Sequence, residues 1–197
     1  MTLAPALIEE LAAHLDAAQM ERREVVKITD AHPGLDQADA YAIQYAIRAR
    51  RLGRGHRIAG LKMGLTSRAK MKQMGVPTPI YGVMTEDFAL APGAEVSAGR
   101  YIHPRVEPEI AFVTKLALRG PGGHVGAVLT ATDFVVPAIE VLDSRYKDFT
   151  FDLNSVIADN TSAAGFVVGD AMRAAAGLDL ATLGVVLEKN GEVVGLG

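Results

Sequence analysis

The stretch His103–Val113 reads HPRVEPEIAFV. Val106, Ile110, Phe112 and Val113 give it the apolar content of a β-strand, and turn-prone residues precede it. Inside it, Glu107 and Glu109 stand two positions apart. Alternate residues of a strand share a face, so the spacing predicts two carboxylates side by side on an otherwise apolar element. Such a pair repels and resists burial unless something positive offsets it. Pro108 lies between them. Proline has no amide proton for a ladder and favours sheet edges or bulges, so the strand is expected to be irregular where the acids sit.

Toward the C-terminus, RGPGGHVG (Arg119–Gly126) reads as a glycine-rich turn. It lacks the G-x-G-x-x-G order that opens a dinucleotide-binding helix. DFVVPAIEVLDSRY (Asp133–Tyr146) reads as another strand, with Glu140 in apolar surroundings. FTFDLNSVIADNTSAAGFVVGD (Phe149–Asp170) combines an irregular stretch with a strand near Phe166–Val168. LGVVLEKNGEVVGLG (Leu183–Gly197) reads as a hairpin around a type I′ turn at Asn190-Gly191.

Toward the N-terminus, APGAEVSAG (Ala91–Gly99) is turn-rich, and PTPIYGVMTEDF (Pro77–Phe88) is a loop leading into short strands. TSRAKMKQMGV (Thr66–Val76) reads as a short helix capped by Thr66 or Ser67 and closed by Gly75. RIAGLKMGL (Arg57–Leu65) reads as a strand carrying Lys62. Two helices precede it. One spans residues 3 to about 26, with Leu7, Ile8, Leu11, Leu15 and Ala18 at helical spacing. The other runs from Asp36, a candidate N-cap, to about Leu52. Helices first and strands later predict an α+β fold, with a helical region over 1–55 and a β-rich core over 56–197.

The chain has 197 residues, 49% hydrophobic and 22% charged, with a net charge of −3. That suffices for a core and argues against generic nucleic-acid binding. With no cysteine, disulfides and thiolate metal sites are excluded. A metal would bind through oxygen or one of five histidines, and oxygen ligands favour Mg²⁺, Mn²⁺ or Ca²⁺. The N-terminus shows no secretory signal pattern, and no apolar run is long enough to span a membrane. A cytoplasmic location is expected.

Glu107, Glu109 and Glu140 each interrupt an apolar strand. One reading pairs them with arginines or faces them to solvent; the other gathers them around a hard divalent cation. Lys62 either snorkels to the surface or serves in a pocket as a proton donor or anion clamp. The basic run RARRLGRGHR (Arg48–Arg57) either complements a helix C-terminus or attracts an acidic ligand. Asp143 and Arg145 are expected to form a structural ion pair, and His103 is expected in a loop. A G-x-S-x-G nucleophile elbow is absent from the sequence.

Four ordered motifs carry a resemblance: GLKMGLTSRAKMKQMGVPTPIYG (Gly60–Gly82), IHPRVEPEIAFV (Ile102–Val113), EVLDSRY (Glu140–Tyr146) and FDLNSVIADNTS (Phe151–Ser162). Together they resemble the hydratase/decarboxylase branch of the fumarylacetoacetate hydrolase superfamily. KMKQMGVPTPIYG and YKDFTFDLNSVIADN are more similar to its decarboxylases. The resemblance implies N-terminal helices packed on a mixed β-roll core. It implies a Mg²⁺ site, with Mn²⁺ as a substitute, held by Glu107, Glu109 and Glu140, and Lys62 as the active-site lysine. Arg68 or Arg145 is a candidate for holding a substrate carboxylate.

The implied activity is decarboxylation of 2-oxo-3-hexenedioate to 2-hydroxypenta-2,4-dienoate and CO2, in meta-cleavage aromatic catabolism. The alternative within the branch is hydration of 2-hydroxypenta-2,4-dienoate. The implied partners are other copies of the chain and the pathway hydratase, with no nucleic acid and no membrane. Members of the branch run several dozen residues beyond EVVGLG. This departure predicts a C-terminally shortened core with unpaired strand edges and exposed apolar surface. It also keeps open an inactive paralogue that only assembles with a partner.

Overall fold

The computed structural model describes residues 3–196, except for the side chains of residues 70, 73 and 74. Helix α1 (Pro5–Glu21) starts with proline in its first turn, where a missing amide proton costs nothing. It stops five residues short of the expected end near 26. Arg22 takes a left-handed conformation (φ 54), and the Arg23 amide donates back to the Ala18 carbonyl. Beyond that stop the chain is extended, and Val25 bridges Tyr146.

A single turn, α2 (Ile28–Ala31), follows. Helix α3 (Gln37–Gly53) begins at the expected cap: the Asp36 carboxylate accepts from the Asp39 amide at 2.8 Å, and Asp39 returns the contact. The buried faces of α1 and α3 supply Ile8, Leu11, Leu15, Ile43 and Ile47 to one core. Tyr146, wholly buried, and Ile157 join it.

Strand β1 (Ile58–Gly64) pairs antiparallel with β2 (Ile80–Thr85), setting Lys62 opposite Gly82. Helix α4 (Arg68–Met74) connects them and ends at Gly75, which holds φ 66. A four-stranded sheet has the order β3-β6-β5-β4, from β3 (Ala89–Leu90), β6 (Ala163–Val168), β5 (Thr132–Leu142) and β4 (Arg105–Thr114). Pro108 thus falls on the end strand of that order, where proline is tolerated.

Two short helices went unread in the sequence. Helix α5 (Val125–Ala131) is capped by the His124 side chain, which accepts from the Ala127 amide. Helix α6 (Leu153–Ala158) is capped by Asp152, which accepts from the Ser155 amide. The strand expected through Tyr146 ends at Leu142, and Asp143–Arg145 run buried without regular structure. The terminal hairpin pairs β7 (Val186–Lys189) with β8 (Glu192–Leu196). Asn190 (φ 55) and Gly191 (φ 83) give it the expected type I′ turn.

The chain divides into two compact units. One holds the residues up to Ala89, Glu95–Arg105 and Val141–Gly165; the other holds Leu90–Ala94, Val106–Glu140 and the residues from Phe166 onward. Among the described residues, no helix is long and apolar enough to cross a membrane.

Candidate metal centre

The three glutamates singled out in the sequence come together. Glu107, Glu109 and Glu140 each place a carboxylate oxygen within 4.8 Å of the other two. All three belong to the second unit. Strand β4 supplies the first two from one face, and its sheet neighbour β5 supplies the third. Their environments are graded: Glu107 is exposed, Glu109 half-buried, and Glu140 only 4% exposed.

Three converging carboxylates repel, and the more buried they are the greater the cost of their charge. A cation among them offsets both terms. The donor set is oxygen only, without imidazole or thiolate, and so fits a hard divalent ion such as Mg²⁺. Three carboxylates also leave coordination positions for water or for a ligand's oxygens.

Lys62, in the first unit, does not simply snorkel. Its side chain is half-buried, and its Nζ donates to the Thr161 carbonyl at 3.1 Å. The residues that hold it lie in ADNTS (Ala158–Ser162), which carries no sequence signal of that role. Asn160, Thr161 and Ser162 all have left-handed backbones, with φ 51, 53 and 58. Nothing in a run of three polar residues announces that conformation.

The expected Asp143–Arg145 ion pair is replaced by two separate arrangements. Arg145 donates from Nε to Asp159 and from Nη1 to the Asp143 backbone carbonyl. The Asp143 carboxylate instead accepts from the amides of Ile102, at 3.0 Å, and His103, at 2.5 Å. Arg145 is 2% exposed and committed to Asp159, so it does not serve as a substrate clamp. Arg68 is exposed at the start of α4. Burial pushes the Asp159 carboxyl up to about 6 against the opposing pull of Arg145. His103 lies in a loop as expected, 2.7 Å from the Glu24 carboxylate, and Arg105 stacks on Phe149 at 3.8 Å.

The basic run is largely structural. Arg50 and Arg54 both reach the buried Asp16 carboxylate, at 3.1 and 2.6 Å. Arg51 donates to Thr85, Gln19 and Asp87. Burial alone would raise the Asp16 pKa, but hydrogen bonds from Arg54 and Arg50 hold it below the usual carboxylate value.

No family model matches the chain. Among curated proteins, 4-oxalocrotonate decarboxylase of Pseudomonas sp. (strain CF600) is 54% identical over 187 residues, covering 95% of this chain and 71% of that protein. The 2-hydroxypent-2,4-dienoate hydratase of Pseudomonas putida is 38% identical, with 97% and 86% covered. Among solved structures, 4-oxalocrotonate decarboxylase from Pseudomonas putida G7, complexed with magnesium and adipate, superposes with a TM-score of 0.94 at 49% identity. That match covers all of this chain and 74% of the other. A second structure of the same enzyme, with calcium and acetate, matches with a TM-score of 0.92. Sequence identity, coverage and superposition agree: the chain belongs to the 4-oxalocrotonate decarboxylase family.

Proposed function

We propose that this chain is a Mg²⁺-dependent carboxy-lyase converting 2-oxo-3-hexenedioate to 2-hydroxypenta-2,4-dienoate and CO2 in meta-cleavage aromatic catabolism. The observation that carries this is the convergence of Glu107, Glu109 and Glu140 oxygens within 4.8 Å, in a chain 54% identical to a 4-oxalocrotonate decarboxylase. The three glutamates are the residues that hold the ion, with Mn²⁺ as a substitute. When bound, the ion supplies Lewis-acid stabilisation of the charge that develops on the 2-oxo oxygen. Cleavage of the C5–C6 bond releases CO2 and leaves its electron pair at C5. The C3–C4 double bond carries that charge to the C2 oxygen, and protonation there gives the product. Lys62 is assigned the handling of that proton.

The finer fold assignment goes with this reading: a mixed β-roll of the fumarylacetoacetate hydrolase type, with 1–55 as a helical region and 56–197 as the catalytic core. So do a cytoplasmic location, self-association and a complex with the pathway hydratase. The 38% identity to a hydratase supports kinship between the chain and hydratases of this kind; their association is part of the proposal.

The test is CO2 release from 2-oxo-3-hexenedioate with and without Mg²⁺, beside Glu107→Gln. Metal-dependent release that the variant loses is expected. If the chain binds metal and releases no CO2, but hydrates 2-hydroxypenta-2,4-dienoate, the hydratase reading replaces this one. Light scattering of the purified protein, alone and mixed with the hydratase, checks the assembly.

A further inference from the structure

We propose that the left-handed turn Asn160–Ser162 is a positioning device for Lys62, with Asn160 and Thr161 as its positioning residues. The inference rests on the assignment of Lys62 as the proton-handling group.

Three consecutive residues with side chains at φ 51, 53 and 58 are an unusual backbone. Such conformations persist only where the surroundings over-determine them, and they concentrate at functional sites. Here the surroundings do so from three sides. The Asn160 side chain acts as a strand partner for Val83: its Oδ1 accepts from the Val83 amide at 2.7 Å, and its Nδ2 donates to the Val83 carbonyl at 2.8 Å. Thr161 Oγ1 donates to the Asn160 carbonyl at 2.7 Å. The Ser162 carbonyl accepts from the Asp143 amide at 2.8 Å, and the Ser162 amide donates to the Asp159 carbonyl at 3.0 Å.

The device also needs Gly82. A Cβ there would lie 2.2 Å from Thr161 Oγ1 and 2.6 Å from the Asn160 carbonyl oxygen. Gly82 is the cross-strand partner of Lys62. The same glycine that lets the turn approach β2 therefore sets the turn beside the lysine. The product of these constraints is one fixed acceptor, the Thr161 carbonyl, 3.1 Å from Lys62 Nζ. An ordinary glycine-containing turn would close the chain without strain. This one holds a carbonyl at a lysine.

The test compares wild type with Asn160→Ala, Thr161→Gly and Lys62→Met. Glycine tolerates φ 53 freely, so Thr161→Gly relaxes the turn without a folding penalty from that angle. Melting temperature, kcat and KM for Mg²⁺-dependent CO2 release are measured. The acetylation rate of Lys62 by N-hydroxysuccinimidyl acetate is read by peptide mass spectrometry against exposed Lys189. Thr161→Gly loses the Oγ1 hydrogen bond but is relieved of the left-handed strain, so it is expected to stay folded with a melting temperature within about 5 °C of wild type while kcat falls about tenfold with KM little changed. Lys62 acetylation shifts relative to Lys189 in the same variant. Asn160→Ala shows the same loss with a lower melting temperature, and if it does not fold, Thr161→Gly decides.

Unchanged kcat and unchanged Lys62 acetylation in the folded variants overturn the proposal, leaving the turn a stability element. Full activity in Lys62→Met sinks the assignment of the lysine instead. Acetylation then still reports whether the turn positions it.

Discussion

Single atoms decide more here than residue types do. Glu107 and Glu109 were visible as an i, i+2 pair because strand periodicity is local, and the structure brings Glu140 to them. Gly82 offered no such signal, since its importance lies in what presses on it from Asn160 and Thr161. A short hydroxyl side chain has little room to yield, and a backbone carbonyl has less. Gly82→Ala is therefore expected to destabilise the chain by about 3 kcal/mol, as an overpacked substitution with a displaced turn. Urea unfolding followed by circular dichroism checks this. A midpoint equal to wild type would mean that the turn backs away at little cost. Arg145 makes the same point in reverse. Its sequence suggested a partner at Asp143 or a substrate clamp, yet the guanidinium is spent on Asp159, fourteen residues away.

Among the elements, those legible in the sequence carry their determinants within a few residues. The capping box of α3, the hairpin turn at Asn190-Gly191, and the Lys62 strand all do. Asp36→Ala removes the α3 cap and is expected to cost about 1 kcal/mol, read as a lower denaturant midpoint at unchanged slope. Elements that were missed lack that local support. Helix α5 is about two turns of mostly small and β-branched residues, VGAVLTA, with no helical stripe to detect. Helix α6 did announce itself through Asp152, three residues before Ser155, but its six residues fell below the length at which periodicity speaks. The early end of α1 falls at the left-handed Arg22, a conformation that arginine does not announce, and the pairing of Val25 with Tyr146 follows it.

Contacts between α1 and α3 add a pH signature. Asp16 on α1 is held below its unfolded pKa by Arg54 and Arg50 of the α3 terminus. Its stabilisation is thus present above pH ~4, where the unfolded carboxyl ionises, and is lost as pH falls through the lower folded value. Asp16→Asn is expected to lower stability at pH 7 by about 2 kcal/mol, a reduced figure because both arginines are partly exposed. It should also flatten the acid limb of the stability curve. An unaltered limb would assign the acid sensitivity to other carboxylates.

Across the chain, apolar burial and converging carboxylates are unevenly shared. The described core cluster is built from first-unit residues, whereas the second unit leaves Val125 75%, Val193 57% and Leu196 78% exposed. That unit also contains all three converging glutamates. Its folded form therefore concentrates negative charge with a thin apolar reserve, and its stability should depend on the cation more than the helical unit's does. A ligand that binds only the native state adds about 2.7 kcal/mol at a hundred times its Kd. Mg²⁺ is accordingly expected to raise the unfolding transition of the second unit in a concentration-dependent way. Amides of β4 and β5 should gain hydrogen-exchange protection while those of α1 and α3 change little. Glu107→Gln should abolish the effect, since it removes one of three charged donors and part of the repulsion the ion offsets. Equal gains in protection in both units would mean that the chain unfolds as one cooperative body. Unchanged protection in β4 and β5 at millimolar Mg²⁺ would mean that the three carboxylates do not form a metal site in this chain.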